Sequence, residues 1–149
     1  MPETVLVPID GSEASEAALD HALDQFTDVH LIIYHSVDIL DIATCNQSSV
    51  FDVESGEDRI EQAREGAERL LADVEQRASD TANEIELDAE VGSPADNIAR
   101  YAKRRDVDHI VIGSHGRTGL RRITLGSIAE KVVRRSPAPV TIIHPDTEG

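Results

Sequence analysis

The stretch VDHIVIGSHGRTGLRRITLGS, residues 107–127, carries the decisive punctuation of this chain. Its first six residues, 107–112, are a short run rich in β-branched side chains, the pattern of a buried strand. Gly113 and Gly116 follow at once, and after nine intervening residues Gly126-Ser127 opens a new apolar period. That period, through Ile128, Ala129, Val132 and Val133, predicts a helix over 125–135. Pro137 stops it, and Val140–Ile143 supplies the next strand. Strand, glycine loop, helix and strand make one βαβ unit, whose crossover is right-handed.

The same order recurs upstream. Thr4–Ile9 (TVLVPI) reads as a buried strand, and Ser12 is a good N-cap with Glu13 and Glu16 in the first turn that follows. Ala14, Ala18, Ala22 and Phe26 then repeat at helical spacing. Residues 29–34 (VHLIIY) form a second strand. Residues 38–55 show no period and read as a loop of the length that is usually functional or mobile. Ile60, Ala63, Ala67, Leu70, Leu71, Val74 and Ala78 mark an amphipathic helix over 57–82. Over 85–91, Ile85, Leu87, Ala89 and Val91 alternate with Glu86, Asp88 and Glu90, a half-exposed strand with an acidic outer face that suits a sheet edge. Ser93-Pro94 starts a helix to about residue 105 that buries Ile98, Ala99 and Ala102. Five strands and four helices in alternation predict a single α/β domain over 1–149. Its form is a Rossmann-like, open, parallel sheet of order 3-2-1-4-5 with helices on both faces. Ligands of such sheets bind beyond the carboxyl ends of the strands where the winding reverses, here between the first and fourth strands.

Composition narrows the partners. A chain of 149 residues with 40% apolar content is long enough for one real core. A net charge of −15 argues against a general nucleic-acid binder. No apolar run approaches the ~18 residues of a membrane span. Met1-Pro2-Glu3 starts neither a basic nor a long apolar leader, so the expected place is the cytoplasm. Cys45 is single and has no partner for an internal disulfide. Only Lys103 and Lys131 are lysines among 14 bases, and 29 acids accompany them. That balance suggests a halophilic, salt-rich cytoplasm, where like-charge repulsion is screened within about 3 Å at molar salt. The bases are uneven: ten of them, with three acids, lie between residues 100 and 135. An anionic ligand would therefore bind in the C-terminal third, although Arg104, Arg105, Arg134 and Arg135 read as solvated helix faces.

The glycine loop has an intelligible chemistry. Glycines let backbone N–H groups approach an anion, and a helix N-terminus adds unpaired donors and a favourable dipole. The dipole alone contributes about 0.3–1 kcal/mol, whereas micromolar binding needs about 8 kcal/mol, so several N–H bonds and a buried base must act together. The segment is not a Walker A loop, because no lysine lies between residues 104 and 130. Spacing alone leaves two readings open: a phosphate site, or a turn that merely joins strand to helix.

Gly113, Gly116, Gly126 and Ser127 match without a gap the G-x-x-G, nine residues, G-S pattern of the nucleotide-binding branch of the universal stress protein family, which this chain resembles. Val5-Leu6-Val7-Pro8-Ile9-Asp10 is similar to that family's first strand, and Ser136-Pro137-Ala138-Pro139-Val140 to its turn into the last one. The resemblance implies that Pro8, Ile9 and Asp10 line the adenosine side of a cleft, with Asp10 near the ribose or a divalent metal. It implies that the turn after the second strand, Ser36 or Val37, offers backbone groups to adenine. Ile112, Gly113, His115, Gly116, Arg117, Gly126, Ser127 and Ile128 would surround the ribose and phosphates. The implied ligand is ATP, or AMP or ADP, with Mg²⁺ carried by the nucleotide. The implied assembly is a homodimer through Val140–Ile143, answering to an unknown regulatory partner.

Plainer roles stand beside these. Asp10 also suits a cap of the first helix, Ser127 an N-cap of the last, and His115 a simple place in the loop. The six histidines show no i, i+4 pair on a helix and no nearby cysteine, which argues against a transition-metal site. No residue is clearly dedicated to activating water, so the leading expectation is a binding module rather than an enzyme. The alternatives are a slow ATPase or autophosphorylating enzyme, with Ser127 or Thr124 as acceptor, and a nucleotide-free dimeric scaffold.

Overall fold

The computed structural model describes residues 3–37, 56–78, 83–114 and 125–145. Its elements run β1 (Thr4–Ile9), α1 (Glu13–Gln25), β2 (His30–Val37), α2 (Gly56–Ala78), β3 (Glu84–Val91), α3 (Pro94–Arg104), β4 (His109–Gly113), α4 (Ser127–Arg135) and β5 (Val140–Ile143). The strands form one sheet in the order β3-β2-β1-β4-β5, and every neighbouring pair is parallel. The architecture is therefore the α/β sheet that the alternation predicts. The expected 38–55 loop lies outside the described residues.

Alternation along the central strands divides the core in two. Val5, Val7, Ile9, Leu31 and Ile33 face α1 and α2, where Ala18, Leu19, Ala22, Leu71 and Val74 meet them. Leu6, Ile32, Tyr34, Ile110 and Ile112 face α3 and α4, against Ile98, Tyr101, Ala102 and Val132. A strand covered on both faces must be apolar at every position, which is why TVLVPI and HLIIY show no period of two.

Several boundaries among the described residues differ from the sequence reading, three of them by two residues or more. The second strand continues past Tyr34 to Val37, because β3 keeps pairing with it out to Val37↔Val91. The fourth strand starts at His109 rather than residue 107; Asp108 before it ties to the start of β1, its N–H donating to the Thr4 carbonyl at 2.9 Å and its carboxylate accepting from the Glu3 and Thr4 N–H groups at 3.0 Å each. The last helix begins at Ser127 rather than residue 125, with Gly126 as its N-cap.

β3 is an edge strand, as its alternation predicts, but from Glu86 to Glu90 its acidic face is partly covered. The helix α3 lays bases and a tyrosine across it. Arg105 makes a bidentate pair with Glu86 at 2.6 and 2.7 Å, and Arg104 reaches Glu90 at 2.8 Å. The hydroxyl of Tyr101 donates to Asp88 at 2.9 Å and that of Tyr34 to Glu90 at 2.7 Å. Arg134 pairs with Glu130, and Arg135 with Asp96. All four arginines are ion-paired; Arg104, Arg134 and Arg135 stay more than half exposed, as the reading of solvated faces has it, whereas Arg105 is two-thirds covered. Sequence could not show the pairs of Arg104, Arg105 and Arg135, because their carboxylates come from another strand or helix, whereas Arg134 and Glu130 are an i, i+4 pair within α4.

His30 sits in the same network, with Nδ1 2.8 Å from Glu84 and Nε2 2.6 Å from Glu86. Both nitrogens donate to carboxylates only when the ring is the cation. Burial opposes that charge, but the bonds to Glu84 and Glu86 outweigh it and raise the His30 pKa. The Arg105 guanidinium holds the Glu86 carboxyl down at about 2, from an ordinary 4.5. The Glu86 contribution is fully present above pH 4.5 and is lost as pH falls toward 2. The His30 contribution is present below pH 6.5 and is lost as pH rises through its raised value. Stability measured by denaturant titration across pH should therefore fall on both sides of a weakly acidic optimum. Glu86→Gln should flatten the acid limb by about 1–2 kcal/mol after allowance for solvent screening. An unchanged acid limb in that variant would show the pair to be energetically idle.

Candidate site at the carboxyl ends of the first and fourth strands

The chain leaves β1 at Ile9 and turns into α1 through Asp10, Gly11 and Ser12. Gly11 has φ +83°, a left-handed conformation that costs a side-chain-bearing residue about 1–2 kcal/mol. The turn is closed by Asp10, whose Oδ1 accepts the Ser12 N–H at 2.9 Å. Ser12 Oγ then caps α1 by accepting the Ser15 N–H at 3.1 Å, and Ser15 Oγ accepts the Asp10 N–H at 3.3 Å. Capping is thus the work of Ser12, and the Asp10 carboxylate is held at the carboxyl end of the central strand.

β4 lies beside β1 with Val5↔His109 and Leu6↔Ile110. Continuing that register sets Ile9 level with Gly113 and Asp10 level with Ser114. Gly113 has its own packing reason to lack a side chain. A Cβ there would lie 2.7 Å from the carbonyl carbon of Ala14 and 2.8 Å from its Cβ and oxygen. The amino end of α1 therefore rests directly on the backbone of β4.

Ser114 was not singled out by motif, yet it organises this corner. It is fully buried, and its N–H donates to the Ile143 carbonyl of β5 at 2.8 Å. Its own carbonyl accepts the Gly126 N–H at 2.6 Å, which hangs the start of α4 from the end of β4. Its only sequence signal is a small polar residue directly after an apolar strand, too common to be diagnostic. Ser127 does not cap α4, contrary to the sequence reading: it is the first helical residue and is exposed, and Gly126 occupies the cap with no side-chain bond. Backbone geometry leaves the amides of residues 127–129 without intrahelical acceptors, so the first turn offers N–H donors. Ile128 packs partly into the core beneath them.

On the other side of β1, the pair Ile9↔His35 ends its ladder with β2. The His35 Nδ1–H donates to the Ile9 carbonyl at 2.8 Å, a second tie that sequence reasoning missed. Ser36 and Val37 belong to β2 rather than to a turn, because β3 pairs with them. Pro8, Ile9, Asp10, Ser36, Val37, Ile112, Gly113, Gly126, Ser127 and Ile128 are thus brought to one end of the sheet. His115, Gly116, Arg117 and Thr124 lie outside the described residues. Among the described residues no group of three or more histidine, cysteine or acidic side chains is arranged to hold a metal. His109 bonds the Thr141 hydroxyl at 2.6 Å, and burial lowers its pKa.

Residues 1–144 match the model of the universal stress protein family. The chain belongs to that family. This universal stress protein is 33% identical over 145 residues to universal stress protein YxiE of Bacillus subtilis, an alignment covering 94% of this chain and 97% of the relative. It is 30% identical over 158 residues to universal stress protein MJ0577 of Methanocaldococcus jannaschii, covering 96% and 95% of the two chains. The solved structure of MJ0577 superposes with a TM-score of 0.80 at 27% identity, over 95% of each chain. A universal stress protein crystallised in complex with cAMP superposes with a TM-score of 0.71 at 26% identity, over 97% of this chain and 98% of that one. Among the described residues no helix is long and apolar enough to cross a membrane.

Proposed function

We propose that this universal stress protein is a stress-response regulatory module. It binds ATP, or a related adenine nucleotide such as AMP or ADP, in the cleft between β1 and β4, with little or no hydrolysis. The observation that carries the reading is the Gly126 N–H to Ser114 carbonyl bond of 2.6 Å, which sets the amino end of α4 beside the strand pair where the winding reverses. A relative 26% identical to it binds cAMP, which supports an adenine nucleotide as the ligand class. Pro8, Ile9 and Asp10 line the adenosine, Ser36 and Val37 meet the base, and Ile112, Gly113, Gly126, Ser127 and Ile128 surround the ribose and phosphates. His115, Gly116 and Arg117 complete the phosphate loop. Asp10 is a hard oxygen donor already oriented by the Ser12 N–H, which fits a Mg²⁺ ion brought in by the nucleotide and keeping most of its waters. Bound there, the ion would neutralise phosphate charge.

Calorimetric titration with Mg-ATP in about 2 M potassium chloride, a salt suited to a halophilic cytoplasm, tests the reading. Micromolar binding is expected, with a loss of about 100-fold in the double variant Gly116→Val, Gly126→Val. A folded parent that takes up no ATP would leave the nucleotide-free scaffold as the better account. Turnover that survives purification and vanishes in Asp10→Ala would instead make the protein a slow ATPase.

The whole chain acts in this reading as one cytoplasmic domain that pairs with a second copy through Val140–Ile143. β5 is a sheet edge, paired with β4 alone in the sheet order, and its VTII sequence is mostly apolar. Sedimentation at micromolar protein should give a dimer, and Ile142→Pro, at a position whose N–H the alternation turns to the open edge, should give a monomer of unchanged nucleotide affinity. A parent that sediments only as a monomer defeats the assembly. The nucleotide-bound dimer would present an altered surface to a regulatory partner.

A further inference from the structure

Three side chains form a relay near the carboxyl end of β2, beyond its last pair with β1. Arg100 Nη2 donates to Asn97 Oδ1 at 3.2 Å, and Asn97 Nδ2 donates to Ser36 Oγ at 3.1 Å. The carboxamide has one workable orientation. A guanidinium only donates, so the oxygen of Asn97 faces Arg100 and its nitrogen faces Ser36. Ser36 Oγ is therefore an acceptor toward Asn97, and its hydrogen must point elsewhere. Among the described residues no acceptor takes that hydrogen.

The relay is built into the fold. Asn97 is 8% exposed, and the turn from β3 to α3 wraps over its carboxamide. A Cβ on Gly92, whose φ is +148°, would meet Asn97 Nδ2 at 2.7 Å. The position also matters. The Ile9↔His35 pair sets Ser36 level with Asp10, just beyond the carboxyl end of β1. Alternation puts Ser36 on the same face as Ile32 and Tyr34, the face that α3 and α4 cover. The strand β4, from which α4 hangs, is two strand spacings from β2, about 10 Å away. That separation suits a nucleoside lying across β1, its phosphates at α4 and its base at Ser36.

We propose that Arg100 and Asn97 are positioning residues that fix the Ser36 hydroxyl as a hydrogen-bond donor at the base end of the cleft, so that it selects a purine presenting a ring-nitrogen acceptor there. This rests on the nucleotide-binding reading above. A free hydroxyl would rotate to donate or accept as the ligand required. A hydroxyl already accepting from a buried amide meets an acceptor well and leaves a ring C–H unsatisfied.

The test uses the full-length protein titrated with ATP, with its 1-deaza, 3-deaza and 7-deaza analogues, and with inorganic triphosphate. The parent should bind one deaza analogue about tenfold more weakly than ATP. Ser36→Ala should erase that discrimination. Asn97→Asp should erase it too, because the new carboxylate accepts the Ser36 hydrogen and leaves only lone pairs toward the ligand. Inorganic triphosphate should bind the parent and both variants alike, whereas a merely structural defect would weaken every ligand together. If ATP binds but all three analogues equal it, or if Ser36→Ala and Asn97→Asp keep the discrimination, the relay is overturned and the nucleotide site stands. If the folded parent binds no ATP, the nucleotide reading itself has failed.

Discussion

Tyr101→Ala is expected to lower the unfolding free energy by about 3–5 kcal/mol in denaturant titration. The ring is 1% exposed and lies 4.4 Å, centroid to centroid, from that of Tyr34, which is fully buried on β2. The guanidinium groups of Arg104 and Arg105 sit 5.1 and 5.5 Å from the same ring. Its hydroxyl donates to Asp88 at 2.9 Å and accepts from Arg105 at 2.8 Å. Truncation removes the packing between α3 and the sheet and strips a partner from a partly covered carboxylate. Tyr101→Phe separates the two effects, because it keeps the ring and should cost only about 1–2 kcal/mol. Equal losses in the two variants would mean that the hydroxyl network, and not the aromatic packing, holds α3 in place.

Gly113→Ala should destabilise the protein by about 1–3 kcal/mol and weaken ATP binding with it. The added carbon meets helix backbone, the carbonyl carbon of Ala14 at 2.7 Å, and backbone cannot step aside as the tip of a long side chain would. Relief requires α1 to lift from β4. That movement carries away the Ser12 N–H that holds Asp10, and it strains the Ser114 tie to Gly126. Gly66→Ala, in the interior of α2 with nothing within 4 Å of the new carbon, is the control of opposite sign, with a gain of about 0.5–1 kcal/mol. A Gly113→Ala protein as stable as its parent would show that α1 is free to slide on the sheet.

These two substitutions also mark where sequence reading succeeds and where it stops. Gly113 is conspicuous as a letter, and the phosphate loop is the natural reason to assign it. The close approach of Ala14 supplies a different reason, which no spacing reveals, because the two residues are far apart in the chain. The acidic alternation of Glu84, Glu86, Asp88 and Glu90 reads as a wet outer face. The bases that neutralise it arrive from α3 only when the chain has folded. Ser114 and His35 were silent for the same cause: their roles are backbone ties to residues on other strands.

What the sequence determined by itself is local and periodic. The apolar runs and helical stripes specify five strands and four helices, the handedness of βαβ crossovers then leaves a parallel sheet covered on both faces, and 3-2-1-4-5 is the expected doubly wound order that the structure adopts. The N-cap Ser12 was likewise legible, since it acts on its own neighbours. The tertiary structure alone decided which carboxylates found bases, where α4 begins, and which way the Asn97 amide faces. Periodicity is a property of residues a few positions apart. Burial, hydrogen-bond partnership and pKa depend on groups that come together only when distant segments pack.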